Sequence, residues 1–354
     1  MGKLAVYKYG YFISILFSLC MLGVSIFALY AGQYDPAHHT FAAYVAMGKM
    51  VIAIINLVLL VYWLVRFRYW IIIPIAALAL NFSFIRTMFN PLPSHPEHPG
   101  KSLRVLTYNV HYFGNEITGY SAKELKQIME EKNIDVACFQ EYVGNGDFTY
   151  EDLRETYSSI FPYMYQPKAD MSKVIFSRYP ILQSQLIKFY KTNNSAIWSD
   201  IDVNGQVIRV INVHMQTTTI NRMKRDIAKA RTANDEEREQ ALYMSFNDNL
   251  MHNLVKRSQQ ARVVAHLVDT TSTPVILCGD FNDTPGTYTY EKIKGNMVDG
   301  YTEVGSGYAA TFKELHNLLR IDYIFHSPEM KSVEYSTFNF EMSDHNPVYS
   351  EIGL

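Results

Sequence analysis

The chain has 354 residues, with 32 Lys/Arg against 34 Asp/Glu and 48% apolar side chains. Six of the basic and two of the acidic residues lie in positions 1–100, which leaves 26 basic against 32 acidic, a net charge of −6, for residues 101–354. That acidic remainder argues against tight non-specific binding of duplex DNA, which depends on neutralising phosphates. The three cysteines exclude a disulfide framework.

In chain order, the first elements are apolar. Tyr9 to Tyr34 contains no charged residue. Met50 to Leu64 is charge-free and extends back through Ala42–Gly48, interrupted only by Lys49, which could snorkel. Tyr69 to Ile85 is charge-free and ends at Arg86. At about 1.5 Å per residue each can cross about 30 Å of hydrocarbon. Three transmembrane helices are therefore expected at about 9–31, 43–65 and 69–87, forming an anchor over residues 1–88. Lys3 and Lys8 precede the first span, and Arg66 and Arg68 join the second to the third. Basic loops mark the cytoplasmic side, so the expectation is a multi-pass protein of the cell (inner) membrane with a cytoplasmic N-terminus and everything after Arg86 outside. A cleaved signal peptide is the rival for the first span, but its apolar run exceeds the usual h-region. Asn90–Lys101, rich in Pro and His, makes 89–102 a linker.

From Leu103 the rhythm changes to short runs rich in β-branched and aromatic residues: Leu103–Val110, Ile134–Phe139, Lys173–Phe176, Ala196–Val203, Val207–His214, Pro274–Cys278, Ile321–Phe325 and Pro347–Ile352. Helical patterns fall at Ser121–Lys132 and Glu236–Asp269. Many strands with few helices between them predict a two-sheet α/β sandwich over residues 103–354 rather than a doubly wound parallel sheet. Cys138 and Cys278 fall in two of these runs as small buried hydrophobes. Asn221–Arg231 holds five basic residues against Asp226 alone. It is a solvated helix face or a contact for anionic headgroups or a phosphorylated substrate.

Acidic, amide and imidazole residues recur where the strand-like runs stop or start: Asn109, Gln140-Glu141, Asn212 with His214, Asp280 with Asn282, Asp322, and Asp344-His345. Singly, each is an ordinary turn or cap residue. Strand ends that converged on one edge would instead gather oxygen ligands and imidazoles suited to a hard cation and phosphate chemistry. His38/His39 and His95/His98 lack the further ligands of a metal motif, and no Cys/His cluster fits structural zinc.

Gly279-Asp280-Phe281-Asn282 and Ser343-Asp344-His345-Asn346-Pro347, after an early Asn and a Gln-Glu pair, resemble the endonuclease/exonuclease/phosphatase superfamily. This family includes DNase I, abasic-site endonucleases, neutral sphingomyelinases and inositol polyphosphate 5-phosphatases. The resemblance spans about residues 103–354 and implies a DNase I-like four-layer α/β sandwich. It implies that Glu141 ligates Mg²⁺ (Mn²⁺ being the alternative), with Asn109 beside it and Asp344 completing the site. It implies further that Asp280 and Asn282 hold the attacking water, and that Asp322 orients His345 as general base or phosphate ligand. His214 would donate to the phosphoryl oxygen, and Arg178, in Phe176-Ser177-Arg178-Tyr179-Pro180, could touch phosphate or brace a turn. The implied protein is a membrane-anchored phosphoesterase hydrolysing a phosphate ester by metal-activated water. A phosphodiester is favoured, with a lipid headgroup suggested by the tether. An extracytoplasmic nuclease is the second reading, and a catalytically silent membrane-bound binding module the third. The sequence leaves the oligomeric state open.

Overall fold

The computed structural model describes residues 3–94, 96, 100–144, 147–218 and 220–354, without the side chains of 3–5 and 220–222. His95, Glu97 and His98 lie outside the described residues.

Two six-stranded sheets stack face to face. In the first the order is Lys331–Thr337, Val348–Gly353, Ser102–Asn109, Val136–Gln140, Lys173–Ser177, Tyr163–Tyr165. In the second it is Val298–Asp299, Asp322–His326, Val275–Asp280, Gln206–His214, Ser195–Val203, Ile181–Lys188. Each sheet has one parallel pair at its centre, Ser102–Asn109 with Val136–Gln140 and Gln206–His214 with Val275–Asp280, and antiparallel neighbours elsewhere.

The period-2 alternation of strands explains the layers. Val105, Val136, Cys138, Ile208, Val210, Ile276, Cys278 and Ile324 point between the sheets and form the central core. Their neighbours point outward. Leu106, Ala137 and Phe139 pack under Leu125 and Met129 of the helix Tyr120–Glu131 and under Tyr157 of Tyr150–Ser158. Ile211, Val213 and Leu277 pack under Ala261 and Val264 of Glu236–Asp269 and Tyr290 of Tyr288–Lys294. The layers run helix, sheet, sheet, helix. Every strand-like run in the sequence forms a strand. Ile181–Lys188 and Lys331–Thr337 were not legible, because each carries a bulge that interrupts the alternation. The helix Tyr150–Ser158 is set by a reciprocal Thr149–Asp152 capping box.

The N-terminal helices depart from three straight spans. Among the described residues, only Val6–Ala31 is a single helix long and apolar enough to cross a membrane. Thr40–Met47 and Lys49–Val65 are bent by 57° at Gly48, and Tyr69–Leu80 and Phe82–Met88 by 62° at Asn81. Asn81 gives the reason at the second bend: its amide donates to Ala77 O and across to Ser25 O. Lys49 does not snorkel; it is buried against Gly286 and the Phe84 ring. After Met88, Phe89–Asn90 pairs with Gly307–Tyr308, and Ser94 N donates to Glu303 O.

One buried ion pair ties these parts together. Arg320, 1% exposed, donates through both terminal nitrogens to Asp299 at 2.6 and 2.8 Å and through one of them to Thr87 O at 3.0 Å. Its guanidinium lies 4.3 Å from the Tyr301 ring centre. Asp299→Ala would leave a buried cation without its partner, a loss of roughly 3–5 kcal/mol. The full chain in detergent should therefore melt several degrees lower; an unchanged melting temperature would contradict this assignment.

Candidate active site

The same alternation that builds the central core builds the site. Residues 105, 107 and 109, then 136, 138 and 140, then 210, 212 and 214, then 276, 278 and 280, and 322 with 324, all face the space between the sheets. Toward one end these positions turn from Val, Ile and Cys to Thr107, Asn109, Gln140, Asn212, His214, Asp280 and Asp322. Register brings the ends level: Asn109 is opposite Gln140, His214 opposite Asp280, and Asp322 opposite Asp280.

Beneath the opening, a buried amide pair links the two sheets. Gln140 Nε2 donates to Asn212 Oδ1 at 2.7 Å and to Thr107 Oγ1 at 3.0 Å, while Asn212 Nδ2 donates to the carbonyls of Phe139 and Val174. Gly279 permits the close strand approach. Its φ is +132°, and a Cβ there would lie 2.1 Å from Val213 O. Glu141 and Asn282 have φ of +51° and +52°, so each strand leaves its sheet through a left-handed residue that aims a side chain into the opening.

Asn109 Nδ2 donates to Glu141 Oε1 at 3.2 Å and Asp280 Oδ2 at 3.1 Å, tying two carboxylates from different sheets. Asn282 donates to Asp280 twice, from its backbone at 2.8 Å and its amide at 3.0 Å. His345 Nδ1 meets Asp322 Oδ2 at 2.9 Å, and Nε2 points toward Asp280 at 3.8 Å and Asp344 at 4.0 Å. His214 Nε2 lies 3.6 Å from Asp280 and 3.7 Å from Glu141.

These contacts spread the protons unequally. Burial opposes a charged His345, but Asp322, Asp280 and Asp344 outweigh it and push the imidazole up to about 10. Burial, then the Asp322 charge, pushes the Asp280 carboxyl up to about 7. Burial also works against ionised Glu141, yet His111, His214 and Asn109 hold it at about 2. Burial, then Lys173, lowers His214 to about 4, so it is neutral at pH 7.

The structure thus brings Asn109, Glu141, His214, Asp280, Asn282, Asp322, Asp344 and His345 together. Arg178 is a correction. It follows Ser177, the end of its strand opposite Lys173, and its backbone and guanidinium face Asp135. It braces a turn at the far edge and cannot reach the opening. Three residues went unnoticed in the sequence, and a fourth, Arg225, was read only as part of the basic run Asn221–Arg231. His111 Nδ1 sits 3.3 Å from Glu141 and 3.5 Å from Asp344. Arg257, buried in the long helix, pairs with Asp283 at 3.3 Å. Arg225 of the basic helix Ile220–Thr232 and Met47 of the N-terminal helices line the same pocket of about 460 Å³. The basic run around Arg225 was a usable signal; nothing local marked the others.

Hard oxygen donors from Glu141, Asn109 and Asp344 suit a divalent cation, and Asp344 Oδ1 has no hydrogen-bond partner among the described residues. Asp280, Asp322 and His345 also offer ligand atoms within 4.8 Å of one another. There the Asp322–His345 hydrogen bond engages Nδ1 and leaves Nε2, which faces Asp280 and Asp344, for a proton or a ligand.

Stacked sheets ending in such carboxylates, amides and imidazoles are the architecture of metal-dependent phosphoesterases and nucleases. The chain belongs to the endonuclease/exonuclease/phosphatase family, whose model matches residues 106–345. Residues 8–88 match a domain of unknown function. Comparison with curated proteins finds no match. Solved structures of similar fold include D. rerio TDP2 complexed with single strand DNA product, with 14% identity, a TM-score of 0.54, and coverage of 72% of this chain and 100% of that one. Others are the endonuclease/exonuclease/phosphatase proteins of Beutenbergia cavernae (18%, 0.52, covering 72% of each chain) and Bacteroides vulgatus (17%, 0.51, covering 72% and 99%).

Because Asp322 raises the His345 pKa, the imidazolium persists to higher pH than the ordinary value near 6.5. In Asp322→Asn the alkaline limb of the kcat/KM profile should move to lower pH by about one unit or more. An unmoved limb would show that His345 protonation does not matter.

Proposed function

We infer that the protein is a membrane-anchored phosphoesterase that hydrolyses a phosphate ester, favoured as a phosphodiester, with Mg²⁺ (or Mn²⁺) as cofactor. The observation that carries this reading is the Asp322–His345 pair facing Asp280 and Asn282 across the edge that also holds Glu141, Asn109 and Asp344. Glu141, Asn109 and Asp344 are the residues that would hold the metal. When bound, it would neutralise charge on the phosphoryl and leaving oxygens.

The chain's own groups supply the rest. Asp280, braced by Asn109 and Asn282, orients a water and accepts its proton as the water oxygen attacks phosphorus. The ester P–O bond breaks, and the leaving oxygen takes a proton from the His345 imidazolium that Asp322 holds in place, a general-acid role in place of the base or phosphate-ligand role that the resemblance implied. Neutral His214 donates a hydrogen bond to the phosphoryl oxygen as charge grows there. The products are an alcohol and a phosphate bearing one fewer ester.

The membrane reading has its own support. The N-terminal helices carry exposed apolar residues such as Val58, Val61, Leu64 and Ile72. Their mutual contacts include sparse polar ties: Trp63 to Ser18 at 2.9 Å, Asn56 to Ser25 at 3.0 Å, and Ser14 with Tyr62 at 2.8 Å. Such ties hold helices together in lipid, where apolar contact alone offers no preference. Arg66 lies over Tyr7, and Arg68 over Tyr11, at the end where the chain starts. Asp35 and Tyr44 meet the catalytic domain at the other end. A multi-pass anchor with its N-terminus in the cytoplasm and the catalytic domain outside accounts for both, counting each bent pair as one span.

An extracytoplasmic nuclease is the second reading, and the net −6 charge after residue 100 weighs against it. Chelation of divalent metal should abolish hydrolysis of a phosphodiester, and Glu141→Gln and His345→Ala should each lower turnover by about 100-fold or more. Assays of the full chain with Mg²⁺ and Mn²⁺ check this, and wild-type rates in either variant would refute the site.

A further inference from the structure

The polar edge described above opens into a pocket whose apolar lining comes from distant parts of the chain. One part of it is Met47. It ends the helix Thr40–Met47 and packs with Ala43 and Tyr44 against Leu250 and Leu254 of the long helix. The contact is locked nearby: Asp35 accepts from Ser258 at 2.9 Å and pairs with Arg262, and Gly32 presses against Gly286. The N-terminal helical unit is thus part of the pocket wall, not a remote tether.

Phe312, Leu315 and Leu319 also line the pocket. The Phe312 ring lies 5.0 Å from that of His345, which places this wall against the catalytic imidazole. Leu315 is held with φ of +57°, a left-handed conformation unusual for a bulky residue. Leu318 is 56% exposed, and its carbonyl accepts from the Tyr308 hydroxyl. Tyr308 is paired with Phe89, the residue that follows the last N-terminal helix, and Leu92 nearby in sequence is 83% exposed. Exposed apolar residues therefore lie between the exit of the third segment and the side of the phosphate-handling residues. Arg225 and Arg257 sit among the pocket residues as the cationic groups.

A water-soluble polyanion has no use for those walls. Nucleic acid calls for basic grooves and stacking faces. A lipid ester needs cationic and polar groups at one end of its path and apolar surface at the other, joined to the bilayer. We propose that this pocket draws its substrate from the membrane in which the helices sit: a lipid phosphoester whose phosphate lies at Asp280 and His345 and whose apolar part follows Met47, Leu315, Leu319 and Leu318. The proposal rests on the metal-dependent phosphoesterase and membrane-anchor reading above.

The test uses the full chain in nanodiscs with Mg²⁺ or Mn²⁺. Substrates are bis-p-nitrophenyl phosphate, a panel of phosphatidylethanolamine, phosphatidylglycerol and sphingomyelin in the bilayer, the deacylated glycerophosphodiesters, and a single-stranded oligonucleotide. One chain-bearing lipid should be cleaved with kcat/KM at least about tenfold above its deacylated counterpart, as burial of apolar chain requires. Met47→Glu and Leu319→Asp should each lower the ratio of lipid to soluble-ester turnover about tenfold, mainly through KM. Hydrolysis of the soluble ester with no lipid preference, with preference for the oligonucleotide, or with that ratio unchanged in both variants would overturn this proposal and leave the phosphoesterase reading standing. Failure to cleave any substrate with either metal would overturn both.

Discussion

Asp280 is a carboxylate with 1% exposure at the edge where both sheets end, and the surrounding architecture answers the cost of burying it. An isolated carboxylate in an apolar interior is unfavourable unless hydrogen-bonded and faced by charge. Asn109 reaches it from the other sheet, Asn282 turns back to donate twice, and His345 stands opposite with its far nitrogen held by Asp322. Each partner comes from a different strand or loop. The site therefore requires both sheets in register, and a one-residue slip in any of these strands would turn its polar end residue outward.

The central layer explains how that edge is kept open. Deep in the sandwich the inward positions are Val, Ile and Cys, and dispersion and apolar burial hold the sheets together. Nearer the edge, the Gln140–Asn212 amide pair carries the contact between sheets without a continuous apolar fill. It satisfies strand carbonyls on both sides and forms a polar floor. The residues of the candidate site thus stand on a hydrogen-bonded base rather than on loops alone.

The N-terminal helices and the family domain meet through specific polar contacts as well as apolar packing. Arg320 reaches Thr87, Arg86 reaches Thr302 O at 2.8 Å, and Asn90 reaches Gly305 O at 2.8 Å. Together with Asp35 on the far side, these contacts fix the orientation of the pocket relative to the helices. That orientation places Met47 in the wall and gives the substrate proposal its geometry.

Much was legible in the sequence. Short apolar runs rich in β-branched and aromatic residues marked the inner strands, because a strand buried between two layers needs apolar side chains on both faces. The acidic and imidazole residues at their ends stood out only as a set, since singly each is an ordinary turn or cap residue. Arg178 showed the limit: its motif was visible, but which end of a strand faces the site depends on antiparallel pairing with a partner in another part of the chain. Met47, His111 and Arg257 were invisible for a related reason. A methionine in an apolar helix, a histidine after a strand and an arginine in a long helix carry no local mark of their neighbours. Primary structure determined which residues could be buried in pairs and layers; only tertiary packing, by choosing which surfaces come within van der Waals and hydrogen-bond range, decided what encloses the pocket.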